Sequence, residues 1–205
     1  MRAMKYRMSA FSSSAKLRGF TLPEVMLALS VGSMVMLSAA KTYPLLRQQS
    51  QDMGQRFRLD QLLRQTALMI EKDIKRAGFC QGDDCQGEAL RIGNVAGEAA
   101  NSCLIVAYDL NRNGHWEGSG HPESDYFGFR LRQQALEVQR GVTQCQGNGW
   151  EKLLDPEEVI VSAFTLLPLS ASKLGGLISL TIEAQWTRRP AIHRRIERII
   201  SGLNP

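Results

Sequence analysis

The first 19 residues contain no acid. Arg2, Lys5, Arg7, Lys16 and Arg18 lie there, while all 20 aspartates and glutamates follow. The formal charge of +5 therefore belongs to one short tail, and the rest of the 205-residue chain balances at zero. An evenly basic surface of the kind that tracks nucleic acid is excluded. Histidine is scarce, with three residues, and the four cysteines include no Cys-x-x-Cys pair. That spacing speaks against a thioredoxin-like centre and against a zinc ribbon. No Gly-x-Ser-x-Gly elbow, phosphate-binding loop or dinucleotide fingerprint occurs, so an enzyme is not expected. Only one long charge-poor apolar run is present, which excludes a multi-span membrane protein. Hydrophobic residues at 43% and charged residues at 22% also exclude a disordered chain.

That one run is Phe20–Ala40, and its single charge is Glu24. As a helix it spans roughly 31 Å, about one hydrocarbon core. Strong positive charge precedes it and little follows, which places the N-terminus in the cytoplasm. Three readings fit such a segment: a secretory signal peptide cut after Ser38-Ala39-Ala40, an uncleaved anchor, and a leader cut earlier. The third accounts for Glu24. A lone carboxylate in lipid costs on the order of 2.5–3.5 kcal/mol and calls for a partner. Cleavage between Gly19 and Phe20 would create an α-ammonium, and that of a neighbouring copy could pair with Glu24.

Lys16-Leu17-Arg18-Gly19-Phe20-Thr21-Leu22-Pro23-Glu24 resembles the signal of type IV prepilins and type II secretion pseudopilins. The resemblance implies that a prepilin peptidase cuts after Gly19 and that Phe20 becomes the methylated terminus. Glu24 would then be the assembly carboxylate. Pro23 departs from the usual aliphatic residue, but proline is tolerated in the first helical turn. A looser similarity to PilW-type minor pilins and J-type minor pseudopilins continues through Ile70–Cys80, Val106–Asp109, Asn113-Gly114 and Phe127–Leu131.

Downstream, Leu46, Met53, Phe57, Leu63, Ala67, Ile70, Ile74 and Ala77 recur at helical spacing, with Gly78 as a stop. Pro44 is an expected kink and Gly54 a weak point. After Gly78, β-like runs appear at Cys103–Leu110, Tyr126–Arg132, Ala135–Arg140, Val159–Leu167, Leu177–Thr187 and His193–Ile200. Gln133-Gln134 reads as a tight hairpin. Ile178, Leu180, Ile182, Ala184 and Trp186 alternate onto one face. The expected class is α+β: a long N-terminal helix, half transmembrane and half amphipathic, packed on an antiparallel sheet domain. The divisions are a leader over 1–19, a membrane helix over 20–40, its amphipathic continuation over 41–78 and a periplasmic β-rich domain over 79–205.

Cys80, Cys85, Cys103 and Cys145 all fall on the outer side of the membrane helix, where an even count reads as two disulfides. Three pairings are possible. Cys80–Cys85 with Cys103–Cys145 is favoured, because four intervening residues close locally. Asp109-x-Asn111-x-Asn113-Gly114 resembles the opening of a calcium loop, yet position twelve is Gly120 where an EF-hand needs glutamate. The plainer reading is a turn. His115, Glu117, His121 and Glu123 form two His-x-Glu pairs in a glycine-rich loop. Arg188, Arg189, Arg194, Arg195 and Arg198 cluster near the end and read as the wet face of edge strands. No metal, no cofactor and no nucleic acid is expected. The expected partners are a prepilin peptidase, other minor pilins or pseudopilins, and the inner membrane. The expected role is initiation, or a place at the tip, of a pilus or pseudopilus. The alternative is a secreted periplasmic binding domain with an ordinary signal peptide.

Overall fold

The computed structural model describes residues 19–170 and 176–201. The expected leader, residues 1–19, lies outside the described residues except for Gly19. Among the described residues one helix, α1 (Leu22–Arg76), is followed by eight strands: β1 (Leu90–Gly93), β2 (Cys103–Ala107), β3 (Tyr126–Arg132), β4 (Ala135–Arg140), β5 (Glu151–Lys152), β6 (Val159–Ser170), β7 (Leu177–Trp186) and β8 (Arg189–Ile200). All neighbours pair antiparallel, in two sheets ordered β1-β2-β3-β4-β5 and β6-β7-β8. The class is α+β, with the helix packed on antiparallel sheets.

α1 runs through both Pro44 and Gly54 as one element. It ends at Arg76 with Lys75 and Arg76 in the last turn, where cations complement the exposed carbonyls. Gly78 follows at φ 87, and its N–H donates to Ala107 O at 2.9 Å, tying the helix end to β2. The expected apolar stripe divides in two. Leu63, Ala67, Ile70, Ile74 and Ala77 are buried, together with Leu59, which the stripe does not include, whereas Leu46, Met53 and Phe57 are exposed. The buried face begins at Leu59, where sheet residues such as Val161, Phe164, Leu180 and Ile182 join it in one core. Ile178, Leu180, Ile182 and Ala184 point into that core as the alternation predicts.

The strand bounds differ from the expectation at several places: β6 runs on past Leu167 to Ser170, and β7 ends at Trp186. β2 stops at Ala107, because the next residues leave the ladder to build a loop on Asp109. β8 begins at Arg189, before His193. β1 and β5, with four and two residues, are too short to carry a readable period. Gln133 and Gln134 form the hairpin between β3 and β4 with φ of 49° and 61°. Two left-handed residues at a two-residue turn are the geometry that matches strand twist, usually supplied by Asn-Gly. Gln134 is exposed, so Gln134→Gly should remove strain without losing a contact. We expect about 1 kcal/mol of added stability, measured by urea unfolding of the full chain; no gain would mean the turn is relaxed.

β2 is buried along its whole length. One face joins the main core through Leu104 and Val106. The other holds Cys103 and Ile105, which form a second small cluster with Cys145. The Cys103–Cys145 disulfide pins the loop after β4 over this second face. Directly opposite Cys103 on β3 stands Arg130, and opposite Arg130 on β4 stands Glu137. The Arg130 side chain is 2% exposed and meets Glu137 at 2.7 Å. Its Nη1 donates to Cys145 O at 2.7 Å and Gly147 O at 3.2 Å. Trp150 lies 4.2 Å from the guanidinium, seated over Gly128, where an added Cβ would meet the indole at 2.6 Å.

Candidate functional site

Gly19 and Phe20 precede the helix, and Thr21 opens it, its carbonyl accepting from Val25 N at 3.2 Å. Glu24 sits in the first turn. Its Oε2 accepts from Thr21 N at 3.2 Å and from Thr21 Oγ1 at 3.1 Å. This is one arm of a capping box: a Thr-x-x-Glu segment in which the third helical residue reaches back to the cap. Glu24 thus has a partner inside its own chain, and the Thr-x-x-Glu spacing that signals it is local in the sequence. Pro23 falls between the two, where no helical N–H is required. A side chain at Gly19 would meet nothing within 4 Å. Every residue from Gly19 to Gln51 is exposed, and the apolar window of α1, with a mean hydropathy of 1.6, buries none of its surface.

The other candidate residues are held by the globular part. Cys80 is joined to Cys85, and Cys103 to Cys145, leaving no free thiol. Among the described residues the one grouping of metal-type side chains is Cys80, Cys85 and Asp109. Both sulfurs are spent in the disulfide, so neither offers a thiolate. The Asp109 carboxylate is buried and accepts from Gln81 N at 3.1 Å, Asn113 N at 3.1 Å and Gly114 N at 2.9 Å. Burial alone would raise its pKa; those N–H groups outweigh burial and hold it below the usual range. Asp125, fully buried, accepts from Leu110 N and Glu117 N. Desolvation first, then the Glu117 carboxyl, pushes Asp125 up. Hydrogen bonds from Asp125 and Asn113 hold Glu117 down to about 2. The Asp109 loop is thus a turn in which the Asp109 and Asp125 carboxylates are taken up by backbone donors.

The two His-x-Glu pairs do not converge. His115 Nδ1 meets Asp84 at 3.1 Å, Glu117 turns to Asn113 and Asp125, His121 Nδ1 accepts from Glu123 N, and Glu123 accepts from Asn111. The arginines of the last strands are matched by acids. Arg189 meets Asp52 at 2.8 Å, Arg194 meets Asp60 at 3.6 Å and Arg198 meets Glu71 at 3.1 Å. These three acids all lie on α1. Arg195 meets Glu183 at 2.8 Å within the sheet. Sequence reading missed this ladder because its partners lie more than 120 residues apart.

The ladder has a pH consequence. A hydrogen bond from Arg64 holds Asp60 below its ordinary value, and one from Lys75 holds Glu71 below its own. Carboxylates depressed in the folded state contribute stability that is complete above their unfolded pKa and lost as pH falls through the folded one. Asp73 and Asp125, raised by burial, act in the opposite sense. Melting temperature is expected to fall between about pH 5 and pH 2, and Glu71→Gln should flatten that fall. An unchanged slope would remove the ladder from the acid response.

Two family models match the chain. That described as prokaryotic N-terminal methylation motif covers residues 15–40, and that described as prepilin peptidase-dependent protein B covers residues 52–202. The chain belongs to the prepilin peptidase-dependent protein B family. It is 32% identical over 189 residues to prepilin peptidase-dependent protein B of Escherichia coli strain K12, covering 92% of this chain and 98% of that one. No solved structure matches it. Membership makes this a minor pilin or pseudopilin, a member of a pilin-like structural family, with prepilin peptidase as its processing partner. The single apolar N-terminal helix is consistent with a single-pass inner-membrane protein.

Proposed function

We propose that this family member is made as a prepilin, cut after Gly19 and methylated on Phe20. Phe20–Ala40 then holds it in the inner membrane, with residues 1–19 cytoplasmic and residues 79–205 periplasmic. It joins other minor pilins or pseudopilins to initiate a filament or to occupy its tip. The observation that carries this reading is the run Gly19-Phe20-Thr21-Leu22-Pro23-Glu24. It stands at the head of an unburied apolar helix and inside the methylation-motif match. Association follows from chemistry already present. Ala28, Gly32 and Ser33 allow close helix approach in lipid. Glu24 can exchange its bonds to Thr21 for the ammonium of a neighbouring subunit, which is a charged donor in a low-dielectric medium.

The terminus of the mature chain tests the reading. Methyl-phenylalanine from position 20 is expected as its first residue. Lys41 as the first residue would replace this reading with a periplasmic domain released by an ordinary signal peptidase. Gly19→Ala makes the complementary test, because the added methyl group meets nothing in the folded chain. Any loss of processing then reports recognition by the peptidase. The variant is expected to keep its leader, seen as a larger mass; efficient cleavage would contradict the assignment of Gly19.

A further inference from the structure

The loop between β2 and β3 closes on two carboxyl groups. Asp125, the last residue before β3, is fully buried. Its N–H donates to Glu117 O at 3.1 Å, and its Oδ2 accepts from Glu117 N at 3.1 Å. These two bonds hold residues 117 and 125 together and bring the Glu117 carboxyl within hydrogen-bond reach of the Asp125 carboxyl. Glu117 Oε1 accepts from Asn113 Nδ2. Glu117 Oε2 is buried, and among the described residues no N–H or O–H donor reaches it.

A single proton between the two carboxyls supplies the missing donor. Without it, the backbone bonds hold two like charges in one site. Burial and then Glu117 favour the proton on Asp125, while hydrogen bonds from Asp125 and Asn113 keep Glu117 ionised. The surrounding groups are engaged elsewhere. Asp109 is taken up by backbone N–H groups, His115 meets Asp84 and Glu123 meets Asn111. Asp73 and Arg76 of α1 meet Tyr108, and Arg140 of β4 donates to Ser124 O. His121, when protonated, favours the Glu117 carboxylate.

We propose that Glu117 and Asp125 form an acid-set latch: one proton shared between them keeps the β2–β3 loop closed on the end of α1, and its loss to water as pH rises loosens the loop. The contact that reports closure adjoins Glu117 in sequence, Trp116 Nε1 donating to Phe79 O at 3.1 Å. A carboxyl raised in the fold contributes stability that is complete below its unfolded pKa and lost as pH rises through the folded one. The loop is therefore tightest in acid, opposite in sense to the Asp60 and Glu71 carboxylates of the ladder.

The full-length protein in detergent tests this. It carries three tryptophans, and 5-fluorotryptophan labelling gives each a fluorine signal, that of Trp116 assigned with Trp116→Phe. The Trp116 signal is expected to move in one step with its midpoint above about pH 4, the ordinary aspartate value. Exchange of its indole N–H, corrected for pH, should be about ten-fold faster above the step. Glu117→Gln sets an amide where the proton sits, its oxygen accepting from Asn113 and its N–H donating to Asp125 at every pH. This variant should abolish the step and hold Trp116 in its acid position, with the Trp150 and Trp186 signals unshifted. Histidine ordinarily titrates near about 6.5, so a step removed by His115→Gln or His121→Gln would overturn the proposal. So would the absence of any step above about pH 4, the same step in Glu117→Gln, or Trp116 fixed in its alkaline position by that variant.

Discussion

Glu24→Ala is expected to leave the leader cut and the chain in the membrane, yet to reduce incorporation into assemblies by roughly 10–100-fold. The magnitude follows from the bond lost. A hydrogen bond to a charged group contributes roughly 1.5–3 kcal/mol, and each 1.4 kcal/mol is about a factor of ten in association. The carboxylate is also costly to leave without a partner in lipid. In the separate chain Thr21 supplies that partner through its N–H and hydroxyl. Thr21→Ala removes the hydroxyl and keeps the N–H, so it should cost far less than Glu24→Ala. The measurement is the fraction of processed protein recovered in assemblies. Equal incorporation of wild type and Glu24→Ala would refute the ammonium pairing. Equal loss in both variants would place the role of Glu24 in the cap alone.

Arg130→Ala should have the largest effect on folding, about 3–5 kcal/mol of unfolding free energy. The side chain lies at the centre of the five-stranded sheet, with Glu137 directly across and Cys145 O and Gly147 O as further acceptors. Truncation leaves the largely covered Glu137, its side chain 12% exposed, without its cation. It also removes the stacking under Trp150 and frees the loop that Cys145 anchors. Replacing both members, Arg130→Met with Glu137→Leu, should recover much of the loss, because a paired apolar substitution leaves no charge uncompensated. Urea unfolding of the full chain separates the outcomes. A loss below about 1 kcal/mol for Arg130→Ala would place the pair with surface bridges that contribute little.

Neither expectation was equally visible in the sequence. Glu24 stands out because a carboxylate in an apolar run is expensive wherever it occurs, and its Thr-x-x-Glu context is local. Arg130 looks like any arginine on an alternating strand. Its burial depends on the loop that carries Cys145 and Trp150, which folds back over the face of β3 that alternation assigns to solvent. Gly128 belongs to the same device, since only a residue without a side chain leaves room for the indole. The arginines of β8 present a similar case. In the sequence they form a basic cluster; in the fold, Asp52, Asp60 and Glu71 of α1 stand opposite three of them. The apolar stripe on α1 was legible as a period, but where its burial starts was not. Leu59 is buried and Phe57 exposed because one faces the sheets and the other does not.

The sequence by itself determined the features that depend on neighbours along the chain. These are the basic tail, the membrane-length helix, the capped segment around Glu24, the hairpin at Gln133-Gln134 and the α+β order. The family signal is equally local, a short run of residues read directly by a peptidase. Only the tertiary structure decided which charges are neutralised, which strand faces are buried and which carboxyl groups are set together. Those outcomes depend on desolvation and on partners that approach from distant positions. No local pattern encodes them until the sheets close on the helix.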